Sequence, residues 1–181
     1  MTARFIEHRR HSMRTKPGQH LSQAGVDLAR RVGEGMTAFD KVYTSTIPRA
    51  FETGIAMGFA VDRQVELLAS MPSDVEISFD VGFGGFSSHI RRYPDSVVAS
   101  FAGELAAFHA NIARSLPDGG RALIISHGGF IEASAVGCLP DAEHDTWGTS
   151  CNYCERVRLT YDKGKFTACE ILRVPGTILL N

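Results

Sequence analysis

The run RALIISH, residues 121–127, constrains the fold more than any other stretch. It is nearly continuously apolar, too short for a typical helix, and lacks the polar alternation of a strand wetted on one side. That is the pattern of a strand buried on both faces, as in a parallel sheet covered by helices. The flanking sequence agrees. Residues 3–8 read as a short strand, and LSQAGVDLARRVGEGM as a helix with Ser22 as N-cap and Val26, Ala29, Val32, Gly33 and Met36 on one face. DKVYTS reads as a strand, followed by the helix PRAFETGIAMG with Pro48 in its first turn and Gly58 at its end. Past Pro94 a long helix is predicted, capped by Asp95, with an apolar stripe of Val98, Phe101, Leu105, Phe108 and Ile112. GGFIEASAVG turns into a helix, and ERVRLTYDKGKFTACEILRV reads as a hairpin around Asp162-Lys163-Gly164. Residues 71–92, with Gly82, Gly84, Gly85, Ser87 and Ser88, have no clear period and are predicted to be a functional loop. Strands alternating with helices over 181 residues predict one domain, 1–181, with a layered α/β fold and a largely parallel sheet.

Ligands in such folds sit beyond the carboxyl ends of the strands. Three predicted strands end in polar chemistry there: at Arg10-His11, at TSTIPRA with Arg49 opening the next helix, and at His127 followed by Gly128 and Gly129. The formal net charge is -1, so no global field points to nucleic acid or a membrane, and any anion site must be built locally. Arginine presents a planar fork that matches phosphate oxygens. A neutral imidazole can attack phosphorus, and an imidazolium can bind its oxygens. Gly128 and Gly129 at a helix start let backbone N–H groups approach an anion. Together these residues describe a phosphoryl-transfer pocket in which arginines and an imidazolium take the place of a metal ion. His8, three residues before His11 on the same strand, should point to the opposite face and belong to the scaffold.

The segments RRHSMR, HLSQAGVDLARRVG, VYTSTIPRAFETG and LIISHGGFIEAS occur in that order, and together they resemble the histidine phosphatase, or phosphoglycerate mutase-like, superfamily. The resemblance implies a three-layer α/β/α sandwich with a mostly parallel central sheet. It implies that His11 becomes phosphorylated, that Arg10 and Arg49 clamp the phosphoryl group, and that His127 binds its oxygens. Arg14 matches an extra arginine of some phosphatase branches. The family's proton donor falls in PSDVEISFDVGFGG, where Glu76 is the first candidate, followed by Asp74 and Asp80. Ser12 stands where the family pattern has glycine.

The expected activity is metal-independent hydrolysis of a phosphomonoester or phosphoprotein through phosphohistidine, with no cofactor. The chain is short for a mutase, whose extra insertions exclude water; a phosphoglycerate mutase-type phosphotransferase and a non-catalytic phosphate-binding domain are the alternatives. Cys151 and Cys154 form a CxxC, but Cys138 and Cys169 do not supply a second pair at zinc spacing, so structural thiols are expected. Trp147 and Tyr153 are assigned to ordinary packing. The start MTARFIEHRRH is too charged for a signal peptide and no apolar run reaches membrane length, which predicts a soluble cytoplasmic protein.

Overall fold

The computed structural model describes residues 2–72, 77–78 and 81–179. Six strands form one sheet: β1 (Arg4–Arg10), β2 (Lys41–Ser45), β3 (Arg63–Val65), β4 (Arg121–Ser126), β5 (Arg156–Asp162) and β6 (Lys165–Leu172), in the spatial order β3-β2-β4-β1-β5-β6. The pairs β3·β2, β2·β4 and β4·β1 are parallel. The pairs β1·β5 and β5·β6 are antiparallel, the second being the hairpin expected around Lys163 and Gly164. Both of those turn residues have positive φ, 47° and 85°, as a tight two-residue hairpin turn requires.

Strand β4 is the centre of the molecule. Ala122 and Ile124 enter one core, with Ile6, Val157 and Leu159 from the sheet. Leu123 and Ile125 enter the other, with Val42. The first core is closed by α3 (Gly82–Arg92), α4 (Val97–Ser115) and α5 (Phe130–Cys138). The second is closed by α1 (Gln23–Glu34) and α2 (Pro48–Ala56), with the short α6 (Gly176–Leu179) beside α1. Alternation along one doubly buried strand thus produces the three-layer α/β/α sandwich. Among the described residues, no helix is long and apolar enough to cross a membrane.

The helix signals act largely as read. Ser22 Oγ accepts from Gly25 N at 3.1 Å, and Pro48 opens α2. Buried residues on α1 are Gly25, Leu28, Ala29 and Val32, a stripe rotated slightly from the predicted one. Along α4, Val98, Phe101, Leu105 and Ile112 are buried, and Phe108 packs edge-on against Tyr43. The cap of α4 is Ser96, not Asp95: its Oγ accepts from Ala99 N at 3.2 Å.

One segment also departs from the sequence reading in its secondary structure. The second half of the predicted loop is helix α3. Its glycines and serines weaken the local signal, but Phe83 and Phe86 bury completely in the core and hold the helix by tertiary packing. A Cβ on Gly84 would push the Asp145 carboxylate aside.

Gly25 has a comparable steric role under the site. A Cβ there would strike the Met13 carbonyl, in the loop that follows β1. Gly25→Ala should therefore destabilise the fold by about 1–3 kcal/mol, read from the urea midpoint at unchanged m-value.

Candidate active site

Because β2, β4 and β1 are neighbours, their carboxyl ends lie side by side. Arg10 is in register with Ser126, and Thr44 with Ile125. The residues that follow converge on a pocket of about 480 Å³ lined by Arg10, His11, Arg14, Arg49, His127 and Gly128. All the predicted site residues that lie within the described residues are there. Lys16 and Tyr153 line it too. Glu76, Asp74 and Asp80 lie outside the described residues. No carboxylate of the described residues lines the pocket.

His11 is held in one tautomer. Its Nδ1 lies 2.6 Å from the Ser12 carbonyl oxygen. A carbonyl only accepts, so Nδ1 carries the proton and Nε2 keeps its lone pair. Arg49 Nε donates to that Nε2 at 3.1 Å. The carbonyl is itself well anchored. Ser12 N donates to Thr53 Oγ1 at 2.9 Å, Thr53 Oγ1 donates to Arg49 O at 2.7 Å, and Ser12 Oγ donates to Gly25 O at 2.7 Å. Ser12 is not among the residues with positive φ. Its backbone therefore needs none of glycine's freedom, and its hydroxyl adds a bond to α1 that glycine would lack.

On the other strand end, His127 Nε2 lies 2.9 Å from Ser45 Oγ, which also accepts from Ile47 N at 3.1 Å. His127 Nδ1 has no hydrogen-bond partner among the described residues. The two imidazole centroids are 5.1 Å apart. Arg10 donates to Cys151 O at 2.8 Å and sits 5.0 Å from the centroid of the Tyr153 ring, which is 5.8 Å from the His11 ring. A Cβ on Gly128 would come within 3.2 Å of the Arg10 guanidinium carbon, so glycine leaves room for that side chain. The next residue, Gly129, has φ 87° and leads into α5. Buried Glu132 ties the two walls together, accepting from Gly129 N at 2.7 Å and from Cys151 N at 2.6 Å.

Burial, reinforced by Arg49, Arg10 and Arg14, pushes the His11 pKa down to about 3 against the opposing pull of the Ser12 hydrogen bond. Burial also lowers His127 to about 3, with His11 and the same arginines adding to it. Desolvation and the neighbouring cations both oppose a charge on the His127 imidazole.

Ser45, Thr53, Glu132 and Tyr153 were not placed at the site by the sequence. Three of them act through hydrogen bonds to residues far away in the chain, which leave no local pattern. Tyr153 differs from the packing role assigned to it; its neighbour Cys154 adopts φ 59° and donates its N–H to Arg10 O at 3.2 Å, turning the loop toward the pocket. Trp147 does pack, edge-on against Phe83 and His144. Cys151 and Cys154 are buried free thiols whose pKa values burial raises, which keeps them protonated. No group of three or more potential metal ligands occurs among the described residues.

No family model matches this sequence, and no curated protein matches it. Solved structures do. Phosphoserine phosphatase from Entamoeba histolytica, in complex with 3-phosphoglyceric acid, superposes with a TM-score of 0.70 at 16% identity, covering 94% of this chain and 98% of that one. A phosphoglycerate mutase from Bacillus anthracis gives 0.65 at 15% identity, with 98% and 95% covered. The chain has the phosphoglycerate mutase-like fold. A mycobacterial glucosyl-3-phosphoglycerate phosphatase complexed with VO3 shares this phosphoglycerate mutase-like fold with a TM-score of 0.66 at 17% identity, covering 95% of this chain and all of that one (100%).

The buried histidines set an acid limit on stability. His8, His11, His109 and His127 all have folded pKa values below the ordinary 6.5. The unfolded chain binds protons at these positions first as pH falls. Their contribution is therefore complete above pH 6.5 and is lost as pH drops through that value toward about 4 and 3. The urea midpoint should fall steadily between about pH 7 and pH 5; a flat profile over that range would contradict the neutral assignment.

Proposed function

We propose that this protein is a metal-independent phosphatase that hydrolyses a phosphomonoester, or a phosphoprotein, through a phosphohistidine on His11. The observation that carries this reading is the lone pair on His11 Nε2, backed by the Nδ1–H to Ser12 O bond, in a pocket that Arg10, Arg14, Lys16 and Arg49 also line. Likeness of fold to phosphoserine phosphatase and to glucosyl-3-phosphoglycerate phosphatase is consistent with it.

In the reaction, the phosphoryl group enters among Arg10, Arg14, Arg49 and His127. Arg49 turns its donor from His11 Nε2 to a phosphoryl oxygen, releasing the lone pair. Nε2 attacks phosphorus in line, the P–O bond to the leaving group breaks, and a carboxylic acid protonates the departing oxygen. Glu76 is the first candidate for that acid. The arginine forks neutralise charge on the equatorial oxygens. The incoming anion also favours protonation of His127, reversing the repulsion that keeps it neutral. As phosphorus bonds to Nε2 the ring becomes cationic, and the Nδ1–H bond to Ser12 O stabilises it. Water, deprotonated by the same carboxylate, then attacks phosphorus, the P–N bond breaks, and His11 and inorganic phosphate are regenerated.

His11→Ala should lower hydrolysis of 4-nitrophenyl phosphate at least about a thousandfold. Quenching the wild type with labelled substrate in alkaline denaturant should trap phosphate on His11 that subsequent acidification releases. Glu76→Gln should slow transfer of the phosphoryl group to His11, read in single-turnover kinetics, by about a hundredfold or more when the leaving group is a poorly acidic alcohol, and far less with nitrophenolate, which needs no proton. Near-normal turnover by His11→Ala would sink the mechanism. Isomerisation of 3-phosphoglycerate by the wild type would assign it to the mutases, and tight phosphoester binding without turnover would make it a binding domain.

A further inference from the structure

Strand β1 has a second face with chemistry of its own. Antiparallel pairing sets Glu7 opposite Arg158 and Arg9 opposite Arg156, so these four side chains share one side of the sheet. Arg121, at the start of β4, reaches the same point. The Glu7 carboxylate is only 1% exposed. It meets Arg121 Nη2 at 2.7 Å, Arg156 Nε at 2.8 Å, Arg158 Nη2 at 3.1 Å and Arg9 Nη2 at 3.7 Å.

A self-sufficient ion-pair network would balance its charges, and this one does not. Four guanidinium groups surround one buried carboxylate. The further acid in contact, Glu170, touches Arg158 alone, at 3.7 Å and from the solvent side. Arg9 is completely buried, and beyond its bond to Cys154 O its Nε and Nη2 have no hydrogen-bond partner among the described residues. Burying such donors is costly unless something accepts from them. Burial and the repulsion of Arg156 lower the Arg9 pKa to about 10, while burial holds Glu7 up less than the arginines hold it down.

The arginines open onto space. A groove of about 390 Å³ is lined by Arg121, Arg156, Arg158 and Glu7 together with the apolar Phe5, Met36 and Phe39. The Arg121 guanidinium lies 4.8 Å from the centroid of the Phe39 ring. A further cavity of about 230 Å³, also lined by Met36 and Arg156, reaches Arg9. Neither shares a lining residue with the pocket around His11.

We propose that this groove is a second anion-binding site, taking a small organic anion with two negative charges on an apolar or ring-bearing body. The arginines around Glu7 accept the charged group, with Arg9 as the buried donor behind them. Phe5, Met36 and Phe39 hold the body. The assignment does not depend on the reaction proposed for His11.

Phenylphosphonate, a non-hydrolysable dianion carrying a ring, is the probe, titrated calorimetrically into the full chain at about 0.15 M salt to screen non-specific attraction. The wild type should show two binding events, one of which disappears in Arg49→Ala. Arg158→Gln and Arg121→Gln should each weaken the other event by about tenfold or more. In those variants the event that depends on Arg49 serves as the internal check that the fold is intact. Methylphosphonate, without the ring, should occupy the groove about tenfold more weakly. A single binding event in the wild type, or a second event unmoved by both groove substitutions, would overturn the site. Equal groove affinity for the two phosphonates would overturn the apolar half of the assignment.

Discussion

The parallel pairing of β4 with β1 on one side and β2 on the other is the constraint on which the rest depends. An apolar strand with Ala122 and Ile124 facing one core and Leu123 and Ile125 the other gains from burial on both faces only at the centre of a covered sheet. Once it is there, parallel pairing brings the carboxyl ends of all three strands to one edge. His11, Arg49 and His127 meet because the strands that carry them are adjacent. The helices of the two outer layers then supply fixings from behind, Gly25 from α1 and Thr53 from α2.

Charge is the second theme. The chain as a whole is close to neutral, yet β1 concentrates cations at two places. At its end, arginines and neutral histidines face a shared pocket, where repulsion and burial keep both imidazoles uncharged. In its middle, Arg9 and three partners crowd one carboxylate. Between them, on the other face, His8 is the scaffold histidine expected of it: fully buried, with Nε2 2.5 Å from Ser126 Oγ and Nδ1 3.0 Å from Ser134 Oγ and 3.1 Å from His109 Nε2. One heptapeptide strand therefore serves a cationic pocket, a polar core and a charged groove, which is why it is so dense in ionisable groups.

Much of this was legible beforehand. Strand β4 declared itself by its apolar run, α1 by Ser22, α2 by Pro48, and the hairpin by Lys163-Gly164. Helix α3 did not, because Gly82, Gly84, Gly85, Ser87 and Ser88 are poor helix formers and the burial of Phe83 and Phe86 is a tertiary event. His11, Arg10, Arg49 and His127 could be assembled from strand ends alone. Glu132 and Ser45 could not, since each looks ordinary until its distant partner is known. Four guanidinium groups around Glu7 were likewise invisible, because they come from β1, β4 and β5.

By itself, then, the sequence determined the layered α/β architecture and the set of polar residues at the strand ends. Burial periodicity and caps are local properties, written within a few residues of each other. Only the tertiary structure decided which nitrogen of His11 carries the proton, that burial holds the His127 pKa down, that the Ser12 backbone needs no positive φ, and that Tyr153 belongs to the pocket. Those outcomes rest on contacts between positions as far apart as Ser12 and Thr53, or Arg10 and Cys151. Hydrogen-bond geometry and desolvation between such pairs exist only once the layers have closed.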